Sequence, residues 1–192
     1  MKTIAALLSL FVCTTAAFAQ GTVVFANGPT TLISYSPGGL VSTLPASPVG
    51  SYYFGLLTGF AATGPFTFSG VYATNTAGAG KLGPATYTPA VPGWATGTKM
   101  FFEVLGWSAS LGTTFDPAWL TGFGSGVIGS QAWVGMSNVG SGFAGGGVAP
   151  PLPIFGGTGV AGFVLTPSIP EPSCMALSAL SAAAVLVFRR RK

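Results

Sequence analysis

The chain has 192 residues, with 7 Lys and Arg, 3 Asp and Glu and no histidine, for a formal net charge of +4. The missing histidine excludes a Ser-His-Asp or Cys-His triad and removes the commonest zinc ligand. Between Gln20 and Ile169 only Lys81, Lys99, Glu103 and Asp116 are ionised, so this neutral stretch lacks the Lys/Arg cluster that nucleic-acid binding requires, and no nucleic-acid partner is expected.

Residues 1–19 have the order of a secretory signal peptide, predicted as a short helix. Lys2 forms the basic start, Ile4 to Val12 the apolar run, and Ala17-Phe18-Ala19 an A-x-A cleavage site before Gln20. The apolar run is about half the roughly 20 residues that a membrane-spanning helix needs. Signal peptidase and the Sec machinery are the expected partners of this end. Cys13 would leave with it, and Cys174 falls in the tail, so residues 20–168 contain no cysteine and no disulfide.

The body, residues 20–168, is predicted to be all-β, an antiparallel β-sandwich of jelly-roll-like or Ig-like form. Its expected strands are Thr22 to Asn27, Thr31 to Tyr35, Ser51 to Leu57, Pro65 to Tyr72, Ala85 to Thr88, Thr98 to Trp107, Ser130 to Met136 and Gly162 to Thr166. These are short runs rich in Val, Phe, Tyr and Thr, separated by Gly, Pro, Ser and Asn. Parallel βαβ units would need helical stretches of about ten residues or more between strands, and the sequence offers none. In Thr98 to Trp107, alternation puts Met100, Phe102, Val104 and Gly106 on one face and Phe101, Glu103, Leu105 and Trp107 on the other. Two apolar faces mark a central strand. Asp116-Pro117 reads as a helix cap followed by proline in the first turn, predicting a single helical turn there. Gly140 to Gly159, dense in Gly and Pro, reads as irregular loop.

Motifs with chemical potential mostly cancel. Gly124 to Gly129 and Gly157 to Gly162 both match G-x-G-x-x-G, and neither has an acidic residue about 20 positions on, so they reflect composition and no dinucleotide cofactor is expected. Two carboxylates in the body leave a calcium cage dependent on backbone carbonyls, and no metal is expected. Glu103 and Asp116 are the only available acid/base pair for a glycosidase, but Glu103 reads as an edge or surface position and Asp116 as a helix cap. The body is therefore read as non-enzymatic. Trp94, Trp107, Trp119 and Trp133, with Tyr52, Tyr53 and Tyr87, are candidates for stacking on sugar rings, with core packing as the competing use of the same residues. Trp94, in the turn Pro92-Gly93-Trp94, is the expected exposed one. Ser51 to Leu57 and Thr98 to Trp107 lack charged gatekeepers, which predicts self-association through open strand edges.

The tail, residues 169–192, combines Pro170-Glu171-Pro172-Ser173, an apolar run from Cys174 to Phe188, and Arg189-Arg190-Arg191-Lys192. The 15 residues of the run would form a transmembrane helix of about 22 Å against a hydrocarbon thickness of roughly 30 Å. That is short for a permanent anchor. The terminal cations hold this end on the cytoplasmic side and put the body outside, and the prolines keep Glu171 on an extended strip before the membrane. The ordering resembles the PEP-CTERM sorting tail of Gram-negative bacterial surface proteins, with Ile169 where valine is common. The resemblance implies recognition and cleavage near the motif by an integral-membrane exosortase, with an inner-membrane intermediate before delivery to the envelope, cell surface or extracellular matrix. Gly50 to Gly59, Phe102 to Trp107 and the Gly-Ser run Ser125 to Ser130 also resemble the β-rich bodies found ahead of such tails. The expected function is that of an exported structural or adhesive protein, with a carbohydrate-binding module for exopolysaccharide second and a glycoside hydrolase third.

Overall fold

The computed structural model describes residues 20–122 and 132–168; the signal-peptide helix and the sorting tail lie outside them. The described chain is all-β apart from short helical turns. In order it forms β1 (Val23–Val24), β2 (Ser34–Tyr35), β3 (Ser42–Thr43), β4 (Tyr52–Gly59), β5 (Thr67–Thr74), β6 (Lys99–Ser108), the helical turn α1 (Ala118–Gly122), β7 (Ala132–Met136), β8 (Gly140–Phe143), β9 (Leu152–Pro153) and β10 (Val164–Ser168). Among these residues no helix is long and apolar enough to cross a membrane.

The main sheet has eight strands in the order β3-β2-β10-β7-β6-β4-β5, with β8 also paired to β6. β6 is its centre. One edge of β6 pairs with β4 along Phe101 to Ser108, while the other pairs with β8 at Lys99 to Phe102 and with β7 at Leu105 to Trp107. Ser137 fills the break between those two partners. Its backbone N–H donates to Val104 O and its Oγ accepts from Val104 N–H, both at 2.9 Å. β10 joins the two halves of the sheet, running parallel to β2 through Val164 and Leu165 and antiparallel to β7 through Thr166 to Ser168. β1 and β9 form a separate two-stranded parallel pair.

Side-chain alternation along β4 and β6 creates two cores. Met100, Phe102 and Val104 of β6, with Phe54 and Leu56 of β4, pack in a cluster with Val23, Phe25, Leu82, Trp94 and Ile154 from β1 and the long connections. Leu105 and Trp107, with Leu57, face the opposite way and pack with Trp119 of α1, Ala132 and Val134. The expected two-faced central strand is observed. Asp116 Oδ1 accepts from Ala118 N–H at 2.9 Å, so the expected capped helical turn is also present.

Several expectations need correction. Ala85 to Thr88 is a turn, closed by the Tyr87 N–H donating to Pro84 O at 2.8 Å. Gly140 to Gly159 is not all loop, since it contains β8 and β9. Its glycines serve close packing: a Cβ on Gly140 would lie 2.6 Å from Phe102 Cε2, and one on Gly142 2.7 Å from Leu152 Cδ1. Ser51 to Leu57 and Thr98 to Trp107 do not present open edges either, because β4 and β6 are interior strands. The main path of the sheet ends at β3 and β5, and β8, paired only with β6, is a further edge. In β5 a register shift falls opposite Leu56, where Gly70 has φ +83° and Ser69 Oγ donates to Leu56 O at 2.8 Å. Such a bulge bends an edge away from a partner strand without using charge.

Asn75, 1% exposed, ties the start of β4 to the preceding loop. Its Oδ1 accepts from Tyr52 N–H at 3.1 Å, its Nδ2 donates to Pro48 O at 3.0 Å, and its own N–H donates to Tyr52 O at 3.1 Å. Asn75→Ala removes a buried side chain together with its hydrogen bonds to Tyr52 N–H and Pro48 O and is expected to cost about 1–3 kcal/mol. Removing the exposed Asn138 side chain is expected to cost less than about 1 kcal/mol. Urea denaturation of both variants measures the difference.

Candidate functional site

Pro170, Glu171, Pro172, Arg189, Arg190, Arg191 and Lys192 lie outside the described residues, as do Ala17 and Ala19; Gln20 is present and exposed. The candidates on the body can be placed.

The tryptophans do not form a platform. Trp94 is 1% exposed, which overturns its expected exposure. The turn Val91 to Trp94 closes through Trp94 N–H to Val91 O at 3.2 Å, and the ring packs 5.7 Å from Phe102. Its Nε1–H is satisfied by Thr98 O at 2.8 Å, four residues on, so the indole is buried without an orphaned donor. Trp107 and Trp119 are also buried, with ring centroids 5.2 Å apart, and Trp107 Nε1–H donates to Gly112 O at 3.0 Å. Only Trp133 is half-buried among the four, with its ring edge-on to Tyr35 at 5.3 Å. Core packing takes three of the four nominated rings, so a sugar-stacking set of Trp94, Trp107 and Trp119 is not available on this surface.

Gly157 to Gly162 is likewise no phosphate cradle. It forms a tight turn between Phe155 and Val160, closed by Gly156 N–H to Val160 O at 2.9 Å and Gly159 N–H to Gly156 O at 2.8 Å. Among the described residues no helix follows whose N-terminus could hold an anion. Gly124 to Gly129 lies outside the described residues.

The two body carboxylates have different surroundings. Asp116 is exposed and caps α1, as expected. Glu103 is not at an edge. It sits in the middle of β6, opposite Leu57 of β4, at the point where β6 changes partner from β8 to β7. The side chain is on the Leu105 and Trp107 face, and it lines a cleft of about 490 Å³ together with Pro65 and Phe66 after β4, Leu120 of α1 and Met136 at the end of β7. Burial pushes its carboxyl up from the ordinary value of 4.5. The motif reading missed this cleft because it depends on the break in strand pairing, which only the sheet order reveals.

A second cleft, also about 490 Å³, lies at the C-terminal end of β5 between Val49, Tyr72 and Tyr87. Tyr72 is 49% exposed, and the Tyr87 hydroxyl donates to Tyr72 O at 3.3 Å. Tyr72 also lines a smaller cleft of about 180 Å³ with Thr113 and Thr114. These threonines and the tyrosine ring had no distinguishing signal in the sequence. Among the described residues no group of three or more His, Cys, Asp and Glu is positioned to hold a metal ion.

The raised carboxyl of Glu103 has a consequence for stability. The folded state holds the Glu103 proton more tightly than the unfolded state, so ionised Glu103 opposes folding at neutral pH and stops doing so as it protonates. Glu103→Gln is expected to melt higher than the parent at about pH 7, with the gap closing as pH falls through the raised carboxyl value towards 4.5. Thermal melts across that range check it, and a variant less stable than the parent at neutral pH would contradict it. No protein-family model, curated protein or solved structure matches the chain, so function is read from the tail sequence and the chemistry of these clefts.

Proposed function

We propose that the chain is an exported protein of the cell envelope or extracellular matrix, delivered through its C-terminal tail, with a body that has a structural or adhesive role. The observation that carries this reading is the order of the tail: Pro170-Glu171-Pro172, a span from Cys174 to Phe188 short for a permanent anchor, and four terminal cations. The exosortase is the processing partner, and the inner membrane holds the precursor in transit. We read the body more finely as a β-sandwich. The layer made by β1, β9 and the long connections packs on one face of the main sheet through a shared core, which supports that reading. A non-enzymatic role is consistent with Asp116 being engaged as a helix cap, away from the Glu103 cleft lining.

Carbohydrate binding is the second reading, and one observation favours it in a revised form. Tyr72 is half-exposed and lines clefts that also include Tyr87 on one side and Thr113 and Thr114 on the other. Aromatic rings beside hydroxyls suit a neutral saccharide, so the stacking residue moves from the tryptophans to Tyr72. Retardation in polysaccharide-containing native gels is expected to be lost in Tyr72→Ala and kept in Tyr72→Phe. Equal mobility of all three proteins with and without polysaccharide counts against this second reading.

Sorting is tested separately. Intact-mass analysis of the secreted form is expected to show loss of everything from near Pro172 onward, and Glu171→Ala is expected to hold the precursor in the inner membrane. A secreted species that retains Arg189 to Lys192 would overturn the processing step.

A further inference from the structure

Glu103 is an exception in a chain that otherwise keeps charge off the body. Of the four ionised residues between Gln20 and Ile169, Lys99 is exposed and holds its ammonium 5.5 Å from the Phe101 ring centroid. Asp116 is exposed and caps a helix. Glu103 alone is half-buried in an interior strand and lines a cleft whose other lining residues are uncharged. The groups around it are Leu57 across β4, Pro65 and Phe66 from the β4–β5 connection, Leu120 from α1 and Met136 from β7. None of these carries a proton donor on its side chain, and the one hydroxyl in the cleft lining is that of Thr63. Lys99 shares the strand face but stands four residues away, about 13 Å along an extended chain.

A carboxylate in this position gains little from packing. It withdraws charge from water without receiving the hydrogen bonds or the counter-charge that usually offset the cost. Glutamine has nearly the same shape and would avoid that cost. An ionisable group kept where a neutral isostere would serve folding better, at a cleft large enough for a small organic molecule, has the character of a binding group.

The chemistry of the lining sets the class of ligand. One carboxylate cannot supply the several oxygen ligands that calcium or magnesium needs, and among the described residues no acidic or histidine group joins it. A purely apolar ligand would leave the carboxylate unpaired and further dehydrated. A ligand with a cationic head on an apolar body would pair with Glu103 while burying carbon against Pro65, Leu120 and Met136. Phe66 adds an aromatic ring, a group that attracts cations over its face.

We propose that the cleft lined by Glu103, Pro65, Phe66, Leu120 and Met136 binds an organic ammonium ion, with Glu103 as its counter-charge. This assignment rests on neither the sorting tail nor the Tyr72 clefts.

The probe is benzylammonium, with benzyl alcohol as its neutral counterpart, titrated calorimetrically into the full-length chain purified in a neutral detergent. Saturable binding of benzylammonium is expected, at least about tenfold tighter than that of the alcohol and at least about tenfold weaker in Glu103→Gln. The Glu103→Gln variant is itself expected to be folded and thermally more stable, so its loss of binding would not reflect loss of structure. A second readout needs no variant: on the unmodified chain, affinity for benzylammonium is expected to fall as Glu103 protonates on acidification. Absence of saturable binding, equal affinity for the alcohol, a pH-independent affinity, or full affinity in Glu103→Gln would each overturn the assignment.

Discussion

The body depends on burying one strand, β6, on both faces. Its even-numbered side chains reach the core made with β1 and the long connections, and its odd-numbered ones, from Leu105 onward, reach the core under α1. Each large apolar side chain buried this way contributes roughly 1.5–3 kcal/mol. A strand that serves two cores couples them, so neither layer has an independent reason to persist without the other. The close approach extends to the backbone: a Cβ on Gly106 would lie 2.8 Å from Leu165 Cδ2, which allows β10 to lie tightly against the middle of the sheet. With no cysteine between Gln20 and Ile169, this double burial has no covalent reinforcement.

The second constraint is the backbone of the irregular half. Long connections enter the core, and their N–H and C=O groups cannot be left dry without partners. With 5% charged residues, the chain meets this need through short neutral side chains. Asn27 Nδ2 donates to Thr31 O and Gly80 O, both at 2.8 Å, while its Oδ1 accepts from Leu82 N–H at 2.9 Å. Ser108 Oγ accepts from Trp133 N–H at 3.0 Å, and Ser137 repairs the gap between β7 and β8. Asparagine and serine here replace rungs of a ladder that the topology interrupts. The Asn27 bonds hold the Gly80 and Leu82 connection against the loop after β1.

Short runs rich in Val, Phe, Tyr and Thr between Gly, Pro, Ser and Asn made β4, β5, β6, β7 and β10 legible in the sequence. The two faces of Thr98 to Trp107 could be assigned residue by residue because side chains alternate along a strand. β8 was not legible. Gly-Ser-Gly-Phe reads as loop when glycine is taken as a sign of freedom, whereas at Gly140 and Gly142 glycine is there because Phe102 and Leu152 leave no room for a side chain. β3 and β9 pair over only two residues each, too few for a period to appear, whereas β1 falls within the expected strand Thr22 to Asn27. Trp94 misled for a different reason: a Pro-Gly-Trp turn marks the backbone as a surface feature but says nothing about which way the indole swings. Glu103 was the hardest to place, since whether a lone acid in an apolar strand lies at an edge depends on strand order, and strand order is a long-range property.

Its position now separates two kinds of information in the chain. The ends carry the proposed address in local sequence: the A-x-A stretch, the proline motif, the apolar run and the terminal cations can each be read within a few residues. The chemistry of the body is written in three dimensions. Glu103 lies where β6 exchanges β8 for β7, and the same break that requires Ser137 on the backbone coincides with a cleft on the α1 side of the sheet. Continuous pairing and a closed core at that point would have favoured an apolar residue like Leu57 across the ladder. Local rules of sheet formation are obeyed on either side of this position and broken at it, the pattern expected where a fold accepts instability in exchange for a binding group. The fold is therefore most informative about function where its own regularity fails.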